Sequence, residues 1–205
     1  MTHTLHRSGP FLEEDYAWLM YQAQGVNDKN IKDKALVFMD AAEACDSINW
    51  GDVKSGNILE VSPEEIRKNI SDKSRLRGAF TSQEQVVKFL KMVKEADLGI
   101  SVIISGLLDK VIPACAEAGV VPHTINFSLG VWGKKELLPS EDVLAITTMC
   151  GHHMISAAIV EKLAEDVKKG RTTAEKAAKR LGRLCPCGIF NPARAEKILN
   201  KMAKE

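Results

Sequence analysis

The chain has 205 residues, of which 45% are hydrophobic and 27% charged. That is enough apolar sequence to close a core as one domain, or one domain with a small appendage, so disorder is excluded and no disulfide or structural-metal staple is required. The formal charge of +1 is uneven, with 12 Lys+Arg against 6 Asp+Glu from Glu161 onward and 16 against 21 before it.

The opening residues Thr2, His3, Thr4, Leu5, His6 and Arg7 contain no apolar leader. With Ser8 and Gly9 they read as a polar pocket-lining strand or a tail. No apolar run reaches the ~18 residues that span a bilayer. The expectation is a soluble, cytoplasmic protein, in which five cysteines are not disulfides.

Residues 15–24, with Tyr16, Trp18 and Met20 at alternate positions, predict a strand. Residues 32–48 predict a helix with Leu36, Met39, Ala42 and Cys45 on one face. Residues 57–61 read as a short strand. Ser62-Pro63-Glu64-Glu65 is a helix start, with Ser as cap and Pro in the first turn. Residues 75–80 predict a strand, and Ser82 with Gln85 a capping box opening a helix whose stripe is Val86, Leu90 and Val93. The β-branched run at 98–104 predicts a strand buried on both faces. A helix over 106–118 follows, stopped by Gly119, and then a strand over 121–128.

After the glycine-hinged stretch from Ser128 to Gly133 no strand is predicted. Ser140 caps a short helix. A longer helix starts near His152 and ends at Gly170. Thr172 or Thr173 caps the next, and Asn191-Pro192 opens the last. Strand–helix alternation thus predicts an α/β fold, a parallel or mixed sheet with flanking helices over 1–133, followed by an all-helical section over 134–205.

The chemistry-bearing motifs lie in that second section. Cys150-Gly151-His152-His153 is placed at the start of the long helix, where free N–H groups and the dipole favour a thiolate. Cys185-Pro186-Cys187-Gly188 is a stiff turn that converges two thiols, with Gly188 letting backbone N–H groups approach a ligand. Cys45 and Cys115 read as core filler. Cys150, Cys185 and Cys187 are the expected metal ligands, Cys150, His152 and His153 the catalytic candidates, and Gly151 and Gly188 the cofactor-binding ones. At most one histidine of the pair points into the site. His123 reads as structural or as a pocket wall.

Two chemistries follow. One is a metalloprotein holding a [4Fe–4S] cluster with an open or histidine-bound iron, or zinc in a Cys3His set, and meeting a small molecule or a redox partner protein. The other is a metal-free thiol enzyme with Cys150 as nucleophile and Cys185 or Cys187 as resolving thiol. A third reading is a binding or assembly protein with a basic helical surface. Nucleic acid is not the expected partner, because no aromatic residues interleave with the basic ones. Ser105, Gly106, Ser128 and Gly130 are expected to border a crevice at strand ends. No dinucleotide fingerprint, Walker A loop or nucleophile elbow is present.

Overall fold

A computed structural model describes residues 5–204. Its five strands are β1 (Tyr16–Tyr21), β2 (Asn49–Asp52), β3 (Gly56–Asn57), β4 (Leu76–Phe80) and β5 (Ser101–Ser105). They form one sheet in the order β3-β2-β4-β1-β5. Every neighbouring pair is antiparallel, which corrects the parallel or mixed sheet.

The reason lies in the crossovers. Helix α1 (Ile31–Ala44) links β1 to β2, and α3 (Gln83–Glu95) links β4 to β5. Each crossover skips one position, and the gap is filled by a strand of the other unit running the opposite way. A strand–helix–strand pattern reads the same in sequence whether the second strand lands beside the first or one place beyond it.

Local signals held where they are local. Ser62 Oγ caps α2 (Pro63–Asn69), and Ser82 and Gln85 form the full capping box of α3. Helix α4 (Leu108–Glu117) ends ahead of Gly119. Of the predicted strand at 57–61 only Asn57 is in a strand. The run at 98–104 overlaps β5 over Ser101–Ile104, but β5 is an edge strand and all five residues are partly exposed. Apolar composition reports what the faces of a strand touch, not whether its edge is paired. The predicted strand at 121–128 is unpaired and exposed.

Helices α5 (Glu141–Thr147), α6 (Ala157–Lys168), α7 (Ala174–Arg183) and α8 (Pro192–Met202) complete the chain. The side chains of β1 divide the core between two layers. Tyr16, Trp18 and Met20 join α1, α3 and α4 in one cluster, with Trp18 and Phe89 in ring contact with each other and each with Phe38 and Phe80. Ala17 and Leu19 face the other way and join α5–α8 and all three motif cysteines in a second cluster. The helical section is therefore the second layer on the sheet.

Candidate functional site

The two cysteine motifs meet under the sheet's second face. Cys185, Pro186, Cys187 and Gly188 form a tight turn closed by Gly188 N–H donating to the Cys185 carbonyl at 3.2 Å. Gly188 has φ +77°, and a Cβ there would stand 2.2 Å from the Trp50 carbonyl carbon. Only glycine satisfies both demands. Its N–H is thus committed to the turn and its α-carbon to the backbone of β2, which replaces the ligand-facing role expected of it.

The turn is fixed to the sheet by two asparagines. Asn57 Nδ2 donates to the Cys185 carbonyl at 2.8 Å and to that of Gly182 at 3.3 Å. Asn49 Nδ2 donates to the Phe190 carbonyl at 3.0 Å. Small residues opposite let the loop sit this close: Gly51 and Ala79 lie on that face with Asn49 and Arg77.

Cys150 is not at a helix start. Helix α6 begins seven residues later, at Ala157, capped by Ser156. Cys150 instead follows the C-terminal end of α5, in a turn where His153 N–H donates to the Cys150 carbonyl. The expected helix-dipole activation is therefore lost. His153 sits at φ +55° and is exposed, as are His152 and Met154, while Gly151 is half-buried in the same turn.

Arg7 ties the two motifs together. Its guanidinium donates to the carbonyls of Met149 and Ile189, one beside each cysteine segment, and pairs with Asp15. Asp15 also pairs with Arg194 at 2.7 Å, both side chains fully buried. Asn191 Nδ2 donates to Asp15 Oδ1 at 3.1 Å and its own Oδ1 caps α8 through Arg194 N–H. Thr2, His3 and Thr4, of the predicted N-terminal strand, lie outside the described residues, and Leu5–Arg7 form no strand.

Cys150, Cys185 and Cys187 are 1%, 0% and 0% exposed. The Cys185 and Cys187 Sγ atoms are 3.8 Å apart, and Cys187 Sγ is 3.7 Å from His152 Nδ1. Hydrogen bonds to Cys150 and Cys187, with burial, push the Cys185 pKa up. The same bond from Cys185 draws Cys150 down to about 6 against the cost of burial, helped by the backbone N–H groups of Met154 and His152. Cys187 is also lowered, first by Cys185, then by His152, the Ile189 N–H and the Arg77 charge. The Cys187 contact raises His152. Arg77 extends from β4 onto this face, and its buried Nε and Nη1 have no hydrogen-bond partner among the described residues.

The contacts run Cys150–Cys185–Cys187–His152, with the Cys150 and Cys187 thiols lowered and the Cys185 thiol raised. Among the described residues no three His, Cys, Asp or Glu side chains are grouped so as to hold a metal ion. Sulfurs in direct contact would have to separate to admit a [4Fe–4S] cube, whose thiolates bind different irons. Cys45 and Cys115 are buried within α1's end and α4, away from this row. Ser128 and Gly130, expected at a crevice, lie in an exposed segment, as does His123. The basic residues of α6 and α7 form surface pairs such as Lys162–Asp166 and Lys179–Glu175, and Lys176, Lys179, Arg180 and Arg183 of α7 line a cleft of about 500 Å³ with Arg171.

Arg7, Arg77, Asn49 and Asn57 were not singled out in the sequence. Their contacts join positions as far as 182 residues apart, and no local pattern announces them. Comparison with protein families, with curated proteins and with solved structures finds no match for this chain. No helix among the described residues is long and apolar enough to cross a membrane.

Proposed function

We propose that the chain is a thiol redox protein whose reacting pair is Cys187 and Cys185. The observation that carries this reading is the 3.8 Å contact between a lowered and a raised thiol. A thiolate nucleophile and a protonated resolving thiol are the two states a disulfide-forming pair needs at the start. Cys187 takes the nucleophile's place from Cys150, because it is Cys187 that touches the exposed His152.

Burial sets the size of the oxidant. Neither sulfur is exposed, so an oxidant must enter past the exposed His152 as the turn opens, and a small hydroperoxide, which needs the least opening, is the class that fits. The Cys187 thiolate attacks one peroxide oxygen, the O–O bond breaks, and the His152 imidazolium protonates the leaving alkoxide or hydroxide. The Cys187 sulfenic acid is then attacked by the Cys185 sulfur. The S–S bond forms, and the departing hydroxide takes the Cys185 proton as water. Arg77, with two buried N–H groups unpartnered, supplies positive charge beside the thiolate. Cys150, lowered to about 6 first by its hydrogen bond with Cys185, is the thiol that would accept a reshuffled disulfide.

The test is Cys185→Ser, which leaves Cys187 without its resolving thiol. Peroxide should then produce a stable sulfenic acid on Cys187, detected by a sulfenate-specific label, while the unchanged protein produces none that persists. Labelling at Cys45 or Cys115 instead would refute the assignment.

A second reading is favoured by the distances. Two thiolates each ~2.3 Å from one tetrahedral ion stand ~3.8 Å apart, which is the Cys185–Cys187 separation. A mononuclear zinc or iron centre on Cys150, Cys185, Cys187 and His152 requires the row to bend around a point. Stoichiometric metal in protein purified anaerobically, lost in Cys185→Ser, would establish this reading over the first.

A further inference from the structure

Helix α7 carries its cations on one face. Lys176, Lys179, Arg180 and Arg183 are spaced three and four residues apart, which sets them side by side along the helix. The neighbours Lys176–Lys179, Lys176–Arg180, Lys179–Arg183 and Arg180–Arg183 are all like-charged, an arrangement that destabilises a helix. Arg180 and Arg183, in the last turn, suit the helix dipole. Lys176 lies in the first turn, where the dipole opposes a cation. Helix stability therefore does not account for the stripe.

The stripe lines a cleft of about 500 Å³ whose other walls come from α6 and from the turn joining the two helices. Leu163 and Ala177, both buried, are its apolar lining. Arg171 adds a fifth cation, and the acidic residue of the lining is Asp166. Asp166 is already engaged, by Arg171 at 3.1 Å and by Lys162 at 3.0 Å. Glu175 is engaged by Lys179 at 2.6 Å. Arg183 is anchored through its Nε–H, which donates to the Leu59 carbonyl at 3.0 Å. Lys176 and Arg180 have no ion pair among the described residues. The cleft thus gathers positive charge that the described carboxylates do not balance.

We infer that this cleft is a binding site for an oligophosphate, separate from the thiols. Its volume falls within the ~300–1,000 Å³ of small-ligand sites. Arg171, Arg180 and Arg183 offer forked N–H donors that match phosphoryl oxygens, and the lysines add compact charge. A phosphoryl group carries up to about −2, so two or three in a row meet the cation excess within this space, as a lone carboxylate does not. No aromatic side chain lines the cleft, so nothing there stacks on a nucleobase. What is recognised is the oligophosphate itself, free or borne by a nucleotide. A bound anion also relieves the like-charge pairs, so binding raises the stability of the fold.

Calorimetric titration of the full chain with sodium tripolyphosphate at about 0.15 M salt, alongside thermal melts, tests this. One saturable site per chain and a raised melting temperature are expected. ATP should bind no more tightly than tripolyphosphate. Lys176→Glu with Arg180→Glu should weaken binding about tenfold or more. It should still melt cooperatively, since it turns the Lys176–Lys179 and Arg180–Arg183 neighbours into opposite-charge pairs. Lys29→Glu with Lys73→Glu, exposed positions outside the cleft, makes the same change in net charge and should bind as the unchanged protein does. Absence of saturable binding up to about 1 mM tripolyphosphate overturns the proposal. So does equal weakening in both double variants, which would reduce the effect to net charge. Tighter binding of ATP would mean nucleoside recognition, and tighter binding of an oligoglutamate peptide an acidic protein partner; either result also overturns it.

Discussion

The two faces of the sheet solve different problems. One face is filled by Trp18, Phe38, Phe80 and Phe89 in ring contact under α1 and α3. The other presents small residues, Ala17, Gly51 and Ala79, and lets backbone loops come close. It holds them with buried polar side chains: Asn49, Asn57, Asp15 and Arg194. Large aromatic rings stabilise by area and tolerate some imprecision. A row of thiols needs carbonyls and N–H groups at set positions, and that requires hydrogen-bond anchors instead of volume. The chemistry therefore sits on the face with the smaller side chains.

The largest expected effects separate stability from site geometry. Phe89→Ala should cost ~3–5 kcal/mol as a large-to-small core change, and leave the thiolate titration where it was. Arg194→Ala should cost a comparable ~3–5 kcal/mol by breaking the buried pair with Asp15, which then keeps Arg7 as its one guanidinium partner, and should also shift the titration, because Asp15 holds Arg7 and Arg7 holds both cysteine segments. Denaturation curves paired with ultraviolet thiolate absorbance read both quantities. If Arg194→Ala loses stability without moving the titration, the two faces do not differ in the way described.

An intermediate effect is expected at Asn57. Its replacement by Ala removes one hydrogen bond from each of the Cys185 and Gly182 carbonyls, which keep the Gly188 and Cys185 N–H groups, a loss of ~1–3 kcal/mol for the two bonds, and should raise the thiolate midpoint by loosening Cys185.

The pH dependence follows from the same row. Cys150 titrates at about 6 in the fold, below the ~8.5 of an unfolded thiol. Between those values the unfolded chain binds more protons, so stability rises with pH across the window and is lost as pH falls through about 6. Cys187 acts in the same direction. Cys185 is raised, so above the unfolded value it opposes them. Anaerobic urea titrations should show the rise, and Cys150→Ser should flatten it. The smallest effect belongs to His153, exposed and not among the groups that shift the thiols: His153→Ala should change stability by no more than ~0.5 kcal/mol and leave the thiolates unmoved, whereas His152→Ala should raise the Cys187 midpoint.

Much of this was readable from the chain because it is local. Ser62, Ser82, Ser140 and Asn191 cap the helices they were expected to cap, since a cap is decided within four residues. The convergence of Cys150 on Cys185 and Cys187 followed from the clustering of loop thiols. β2 was missed because Asn-Trp-Gly-Asp has no strand pattern of its own. It is a strand through pairing with β4, and its asparagine and glycine are there for the loop above. The start of α6 was placed too early because Ile155 continues the four-residue spacing into the turn, while the cap that decides the matter is Ser156. Arg7 and Arg77 carry no mark of their roles, since each acts on residues brought near only by the fold.

The central claim is that Cys185 and Cys187 are a reacting pair. Peptide mass mapping of reduced protein, after one equivalent of hydrogen peroxide and blocking of free thiols, tests it most directly. The account predicts a Cys185–Cys187 disulfide, two hydrogens lighter, with Cys45 and Cys115 recovered as blocked thiols. Recovery of Cys185 and Cys187 as blocked thiols while Cys45 or Cys115 is oxidised would contradict it.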